Sequence, residues 1–262
     1  MERIHIQLHT CWSWCKKLLD KRKIFFNKKL AQKYRLAYYE CDKNGNIRIS
    51  TLMNLLQDVT LKHTCKLGYG KEYLLRQMGW MVTRYAIKIK EYPKAGDKIT
   101  VVTWVSELTK LTLNRQFLII NSKGKTLVEV VSKWSLVDLV KKKLLEIPPF
   151  SLRKKKLFTT SFAQPAPQKN DITRRFKVLF DNIDFNGHVN NSMYPFWACE
   201  CIPNEFRLEN LPRELTISFQ KECVYGEEIS VSTQIEELKT ISDLTAADGS
   251  RHARVTIWWG KK

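Results

Sequence analysis

What most restricts the fold of this chain is an internal repeat, because two copies of one pattern in one chain imply two copies of one supersecondary unit. Asp42-Lys43-Asn44-Gly45-Asn46-Ile47 lies over Asp184-Phe185-Asn186-Gly187-His188-Val189 as D-x-N-G, a polar residue, then a β-branched one. Farther on, GDKITVVTWVSEL from Gly96 lies over GEEISVSTQIEEL from Gly226, with Ile, Val, Thr, Glu and Leu recurring in step. A chain of 262 residues suits one large domain or two of ordinary size, and the repeat selects two.

Within the first copy the spacing predicts a strand at Tyr34 to Tyr39, a turn at Asp42 to Gly45, and a helix capped by Ser50. Leu52, Leu55, Leu56 and Val59 then fall at i, i+3, i+4 and i+7, the stripe of an amphipathic helix. Strands follow at Trp80 to Lys90, Lys98 to Glu107, Leu113 to Asn121 and Leu127 to Leu139, separated by Gly-, Pro-, Asn- and Ser-bearing loops. A second strand series opens at Arg175 to Phe180. One helix followed by a run of antiparallel strands is an α+β layer architecture. The proline-rich, basic stretch between the copies reads as a linker. The division is a basic leader at 1–30, a first unit at 31–148, a linker at 149–173 and a second unit at 174–262. The leader carries Trp12, Trp14, Phe25 and Phe26 without a sustained period and reads as a poorly ordered tail.

The copies differ where chemistry would sit. His188 faces Asn46, and the unshifted alignment sets Tyr92 against Glu222. One copy has ionisable groups and the other lacks them, which assigns chemistry to the second and substrate holding to the first. The first helix, with Leu52, Met53, Leu56, Val59 and Thr60, is then expected to line or back a substrate pocket. Asp184, Asn186 and His188 alternate along the chain and can point to one side. Asn190 or Asn191 is a good N-cap for a helix with Pro195 in its first turn, a junction able to hold negative charge developing on an oxygen. A lone D-x-N-x-H is otherwise only a polar turn.

Composition narrows the partners. Lys and Arg number 45 against 26 acids, a net charge of +19, which points to nucleic acid, anionic lipid or an acidic protein. No helix-turn-helix, zinc or phosphate-loop pattern supports nucleic acid. With 44% hydrophobic residues the chain is globular, and no apolar run approaches the roughly 18 residues of a membrane span, so a soluble, cytoplasmic protein is expected. Seven cysteines without a C-x-x-C pair read as free thiols.

The order D-x-N-x-H-V-N-N, then Tyr194, Trp197 and Glu200, then Glu222-Cys223 at 34 residues past His188, together with WSLVDL from Trp134, resembles the acyl-acyl-carrier-protein thioesterases of plants and bacteria. The resemblance runs from about Tyr34 to Trp259. It implies two tandem hotdog domains, each a long helix wrapped by an antiparallel β-sheet. It also implies a catalytic network of Asp184, Asn186, His188 and Glu222 that hydrolyses fatty-acyl thioesters of an acyl carrier protein with no metal or organic cofactor. By their chemistry, Glu222 suits a general base toward water, His188 a proton partner, Asn186 a holder of the water or the carbonyl oxygen, and Asp184 an orienting group. Cys223 with His188 and Asn186 would allow a covalent acyl-enzyme. Glu222 is preferred because cysteines are usually buried and nothing in the sequence lowers this thiol's pKa. The basic runs Lys141 to Lys143, Arg153 to Lys156 and Arg174-Arg175 suit an acidic carrier. A homodimer is allowed. The rival readings are an acyl-coenzyme A thioesterase of the same fold, dehydratase or hydratase chemistry, and a non-enzymatic lipid-sensing hotdog regulator.

Overall fold

A computed structural model describes residues 29–69, 77–147 and 162–262. The first half contributes β1 (Leu30–Arg35), α1 (Ile49–Lys66), β2 (Met78–Ile89), β3 (Lys98–Leu108), β4 (Leu113–Asn121), β5 (Thr126–Asp138) and the short β6 (Lys143–Leu145). The second contributes β7 (Ile172–Lys177), α2 (Met193–Glu200), α3 (Asn204–Glu209), β8 (Asn210–Phe219), β9 (Glu228–Glu236), β10 (Lys239–Thr245) and β11 (Arg251–Lys261). The strands form one antiparallel sheet in the order β1-β3-β4-β5-β2-β8-β11-β10-β9-β7, with β6 hydrogen-bonded to β5. The halves join where β2 pairs β8, Tyr85 opposite Ile217 and Ile87 opposite Leu215, both pairs buried. Lys88 and Glu214 close that seam with an ion pair at 2.8 Å.

α1 lies across β3 and beside α2. Its stripe of Leu52, Met53, Leu55, Leu56 and Val59 is buried, as the periodicity requires. Its N-cap position is Arg48, two residues ahead of the expected Ser50; no side chain caps it, and Ser50 lies inside its first turn. Gly68, at φ +82°, ends it. A left-handed residue there lets Tyr69 N–H reach the Thr64 carbonyl at 3.0 Å, which a β-carbon would strain. The aromatic run expected as a strand at Tyr34 to Tyr39 is one only as far as Arg35. Leu36 N–H bonds the Asp97 carbonyl at 3.0 Å, and the chain then enters a 3-10 turn at Tyr38–Glu40, held by Glu40 Oε2 accepting from Ala37 N–H at 2.7 Å. Likewise β7 begins at Ile172 and ends at Lys177, before the expected Phe180, which sits in the matching 3-10 turn Phe180–Asn182.

The second copy's helix is not long. α2 has 8 residues and gives way to α3 beyond Pro203, whose ring cannot continue a helix from the preceding turn. α2 is apolar nearly all round and correspondingly buried, with Tyr194 edge-on to Trp197 and to Phe219, and Phe176 stacked on Trp197. Its N-cap is Ser192, not Asn190 or Asn191. The leader, apart from its last two residues, and the run Arg153 to Lys156 lie outside the described residues.

Candidate active site

The repeated D-x-N-G segments build the same turn twice. In the second half Asp184 N–H bonds the His188 carbonyl at 2.8 Å, Gly187 N–H returns to the Asp184 carbonyl at 3.0 Å, and Asp184 Oδ1 accepts from Asn186 N–H at 2.8 Å. Asn186 Nδ2 also donates to Asp184 Oδ2 at 3.3 Å. Gly187 sits at φ +81°, which explains the glycine. In the first half Asp42 N–H bonds the Asn46 carbonyl at 2.7 Å, and Asp42 Oδ1 accepts from Asn44 and Asn46 N–H at 2.8 and 2.9 Å.

Each turn is then tied to a loop between two strands farther on, β8–β9 in the second half and β2–β3 in the first. Val189 N–H bonds the Cys223 carbonyl at 2.8 Å, and its counterpart Ile47 N–H bonds the Pro93 carbonyl at 2.9 Å. The residue before each acceptor is Glu222 in one case and Tyr92 in the other, so the structural repeat sets Tyr92 against Glu222, as the unshifted alignment did. That bond brings the imidazole over the carboxylate: His188 Nε2 lies 3.1 Å from Glu222 Oε2, with both side chains about one-third exposed. In the first half Asn46 Oδ1 instead accepts from Lys94 Nζ at 2.6 Å, and Tyr92 donates to the Pro212 carbonyl at 2.6 Å, so both positions there serve packing.

Two contacts at the site come from the other half and were not legible in the sequence. Lys142, in the turn between β5 and β6, places Nζ 3.6 Å from Glu222 Oε2, at the left-handed φ of 52°. Asn190 is held by α1, with Gln57 Nε2 donating to its Oδ1 at 3.0 Å and its Nδ2 donating to Asn54 Oδ1 at 3.3 Å. The same Asn190 Oδ1 accepts from Ser192 N–H at 3.0 Å, and its carbonyl accepts from Met193 N–H at 2.9 Å. The N–H groups of Ser192 and Met193 at the start of α2 are therefore occupied, and the donors beside Glu222 and Asp184 include the side chains of His188, Lys142 and Asn186.

Asp184, Asn186, His188 and Glu222 all line one cavity of about 1,110 Å³, large for a small-molecule pocket and suited to a long flexible chain. It runs along α1 past Asn54, Gln57, Thr60 and Thr64 toward Trp80 and Trp134. Of Leu52, Met53, Leu56, Val59 and Thr60, only Thr60 reaches it; the other four are fully buried behind it in the core. The helix thus gives its polar side to the cavity and its apolar side to the sheet.

Cys223 points the other way. It is fully buried, and burial first and the neighbouring Glu227 second push its thiol well above the ordinary cysteine range. Among the described residues, Cys223, Glu227 and His252 are a group whose ligand atoms lie within 4.8 Å of one another. His252 Nδ1 is 3.2 Å from the Lys221 carbonyl and Nε2 is 4.0 Å from Glu227, contacts that hold the loop carrying Glu222 against β11.

Fold and cavity define a tandem hotdog protein whose second copy sets an imidazole–carboxylate pair in the cavity wall. Residues 27–152 match the acyl-ACP thioesterase N-terminal domain and residues 166–261 the acyl-ACP thioesterase C-terminal domain. The chain belongs to the acyl-ACP thioesterase family. It is 30% identical over 215 residues to a chloroplastic acyl-acyl-carrier-protein hydrolase of Cuphea viscosissima, covering 73% of this chain and 51% of that one. With a chloroplastic palmitoyl-acyl carrier protein thioesterase of Gossypium hirsutum it shares 28% over 235 residues, 81% of this chain and 55% of that one. The chain thus spans about half the length of these curated relatives. A putative oleoyl thioesterase from Lactobacillus plantarum superposes with a TM-score of 0.80 at 24% identity, over 90% of this chain and 97% of that one. A 12:0-ACP thioesterase from Umbellularia californica superposes with a TM-score of 0.78 at 21% identity, over 89% and 98%. These two likenesses establish the fold.

Proposed function

We propose that this chain hydrolyses fatty-acyl thioesters of an acyl carrier protein, releasing free fatty acid and the carrier's thiol. The observation that carries the reading is the His188–Glu222 pair at 3.1 Å in the wall of a cavity large enough for an acyl chain. Glu222 takes a proton from a water, whose oxygen attacks the thioester carbonyl. Asn186, which has an amide hydrogen to spare beyond its bond to Asp184, steadies the oxygen that becomes negative. When the carbon–sulfur bond breaks, the proton passes through the His188–Glu222 pair to the departing sulfur, leaving a carboxylic acid that ionises in solution. Asp184's carboxylate bonds Asn186 and its backbone bonds the His188 carbonyl, so it holds the turn that aims the imidazole.

The division of labour follows the repeat. The second unit, 174–262, supplies the chemistry and the first, 31–148, the acyl pocket, with Asn46 and Tyr92 marking its catalytic degeneracy. The cytoplasmic setting expected from the sequence belongs to this proposal; the matched relatives are named as chloroplastic, and among the described residues no helix is long and apolar enough to cross a membrane.

The test is a panel of acyl-carrier-protein and acyl-coenzyme A thioesters, followed by release of free thiol. With +19 of net charge, carrier-bound substrates should turn over with the higher kcat/KM, and that advantage should shrink as salt rises. Equal turnover of both carriers without salt dependence favours the coenzyme A reading. Tight fatty-acid binding without hydrolysis of either favours the regulator.

A further inference from the structure

Of the three basic runs that could meet an acidic carrier, two lie among the described residues, and the structure separates those two. We infer that the turn between β5 and β6, carrying Lys141, Lys142 and Lys143, is the face on which the acidic acyl carrier protein docks, an inference that rests on the function proposed above. Several residues that line the cavity are themselves exposed: Leu139, Lys142 and Leu144 on the β5–β6 hairpin, Phe185, Asn186 and Lys221 across from it, and Asn54 and Leu61 on α1; of these rims it is the hairpin that sets a lysine, Lys142, beside Glu222. A thioester delivered to His188 and Glu222 enters there, and its carrier rests on the rim.

The rim has the composition that an acidic protein surface requires. Val140 and Leu144 are 63% and 58% exposed and Phe185 is 79% exposed, an apolar centre among cations. Among the described residues Lys141 and Lys143 form no ion pair within 4.0 Å, and both are exposed; the nearby carboxylate, Asp138, feels the charge of Lys141 and accepts backbone N–H groups of the turn. The turn is also preorganised. Asp138 Oδ1 accepts from Val140 and Lys141 N–H at 3.0 and 2.8 Å, and β6 is pinned to β5 with Leu136 opposite Leu145 and Asp138 opposite Lys143. A surface held in its bound shape loses little entropy on docking. Lys142 connects this face to the chemistry, since its Nζ is 3.6 Å from Glu222 Oε2. By contrast Arg174 and Arg175 sit on β7, the last strand of the sheet; Arg175 lies 3.6 Å from Glu228, and neither lines the cavity.

The experiment compares Lys141→Glu/Lys143→Glu with Arg174→Glu/Arg175→Glu, leaving Lys142 intact because it touches Glu222. Substrates are an acyl-carrier-protein thioester and the same acyl group on pantetheine, which has no protein surface. The lysine pair should lose about ten- to a hundredfold in kcat/KM on the carrier substrate, with a flatter salt dependence, and keep its rate on acyl-pantetheine. Lys141→Gln/Lys143→Gln should lose less in the same direction, and the arginine pair should match the unaltered protein on both. An unchanged carrier rate in the lysine pair, a loss shared by acyl-pantetheine, or a loss in the arginine pair instead would each overturn the inference. Should the unaltered protein itself cleave acyl-pantetheine as fast as the carrier thioester at low salt, the carrier reading fails, an outcome distinct from a misplaced docking face.

Discussion

Replacing Asp42 and Asp184 in turn by alanine should cost comparable stability, somewhat more at Asp42, which accepts a second backbone N–H from Asn46 at 2.9 Å, but not the same activity. The two carboxylates occupy equivalent turns, each half-buried and each accepting a backbone N–H two residues on at 2.8 Å. Hydrogen bonds to a charged acceptor contribute roughly 1.5–3 kcal/mol when shielded, and solvent access here lowers that to about 1–2 kcal/mol for either aspartate. At about 2–4 °C per kcal/mol for a protein of this size, both variants should melt roughly 2–8 °C lower. Catalysis should separate them. Asp184 sets the turn that aims His188 at Glu222, and a displacement of about 1 Å in a positioned group costs on the order of a hundredfold in rate. The homologous turn in the first half positions Asn46, whose side chain is bonded to Lys94 away from the chemistry. Asp184→Ala should therefore lose about a hundredfold in kcat, and Asp42→Ala should keep nearly all of it at a temperature well below both midpoints. Thermal melts by circular dichroism and thiol release from an acyl-carrier thioester supply the two readouts. Equal kcat losses in both variants, or full activity in Asp184→Ala, would refute the claim that the turn acts through His188.

Other expectations follow from the division of α1 between cavity and core. Thr60→Phe and Thr64→Phe fill the cavity wall and should shift the released fatty acids toward shorter chains, read by chromatography of the products. Met53→Ala, behind the wall and fully buried, should cost about 2–5 kcal/mol of stability and leave the product profile alone. Thiol labelling of the native protein should modify the exposed Cys65 readily and Cys223 slowly even at alkaline pH, because burial and Glu227 hold the Cys223 thiol protonated; mass spectrometry of the peptides decides. Rapid labelling of Cys223 at neutral pH would contradict that environment.

How far the sequence carried depended on the range of the interaction. β4 was read to the residue, and the paired turns, the Asn46–His188 and Tyr92–Glu222 correspondences and the α1 stripe were all legible, because turn chemistry and periodicity are local. β1 and β7 were misplaced toward the aromatic residues that follow them, since what ends each strand is a side-chain cap on a 3-10 turn, Glu40 in one case and Asn182 in the other. The shortness of α2 was hidden by the expectation that both copies share one helix length, although Pro203 marked its limit. The β2–β8 seam, the Asn190 contacts with Gln57 and Asn54, and Lys142 beside Glu222 join residues far apart in the chain, and no local pattern encodes them. Within the site, Glu222 was preferred to the adjacent Cys223 only on the general burial of cysteines and the lack of any sign of a lowered thiol pKa. In the structure the carboxylate faces the imidazole and the thiol faces Tyr194 and Glu227.

The mechanism turns on which of those two neighbours is indispensable. Glu222→Gln and Cys223→Ala should be assayed side by side on one acyl-carrier thioester, with intact-protein mass spectrometry during turnover. Glu222→Gln keeps the size and the contact with His188 but loses the basic oxygen, so kcat should fall about a hundred- to ten-thousand-fold, or roughly 3–5 kcal/mol of transition-state stabilisation, while substrate still binds. Cys223→Ala should keep most of kcat with some loss of stability, and no acyl adduct should appear on either protein. An inactive Cys223→Ala beside an active Glu222→Gln, with an acyl group trapped on Cys223 of the unaltered protein, would contradict attack by water.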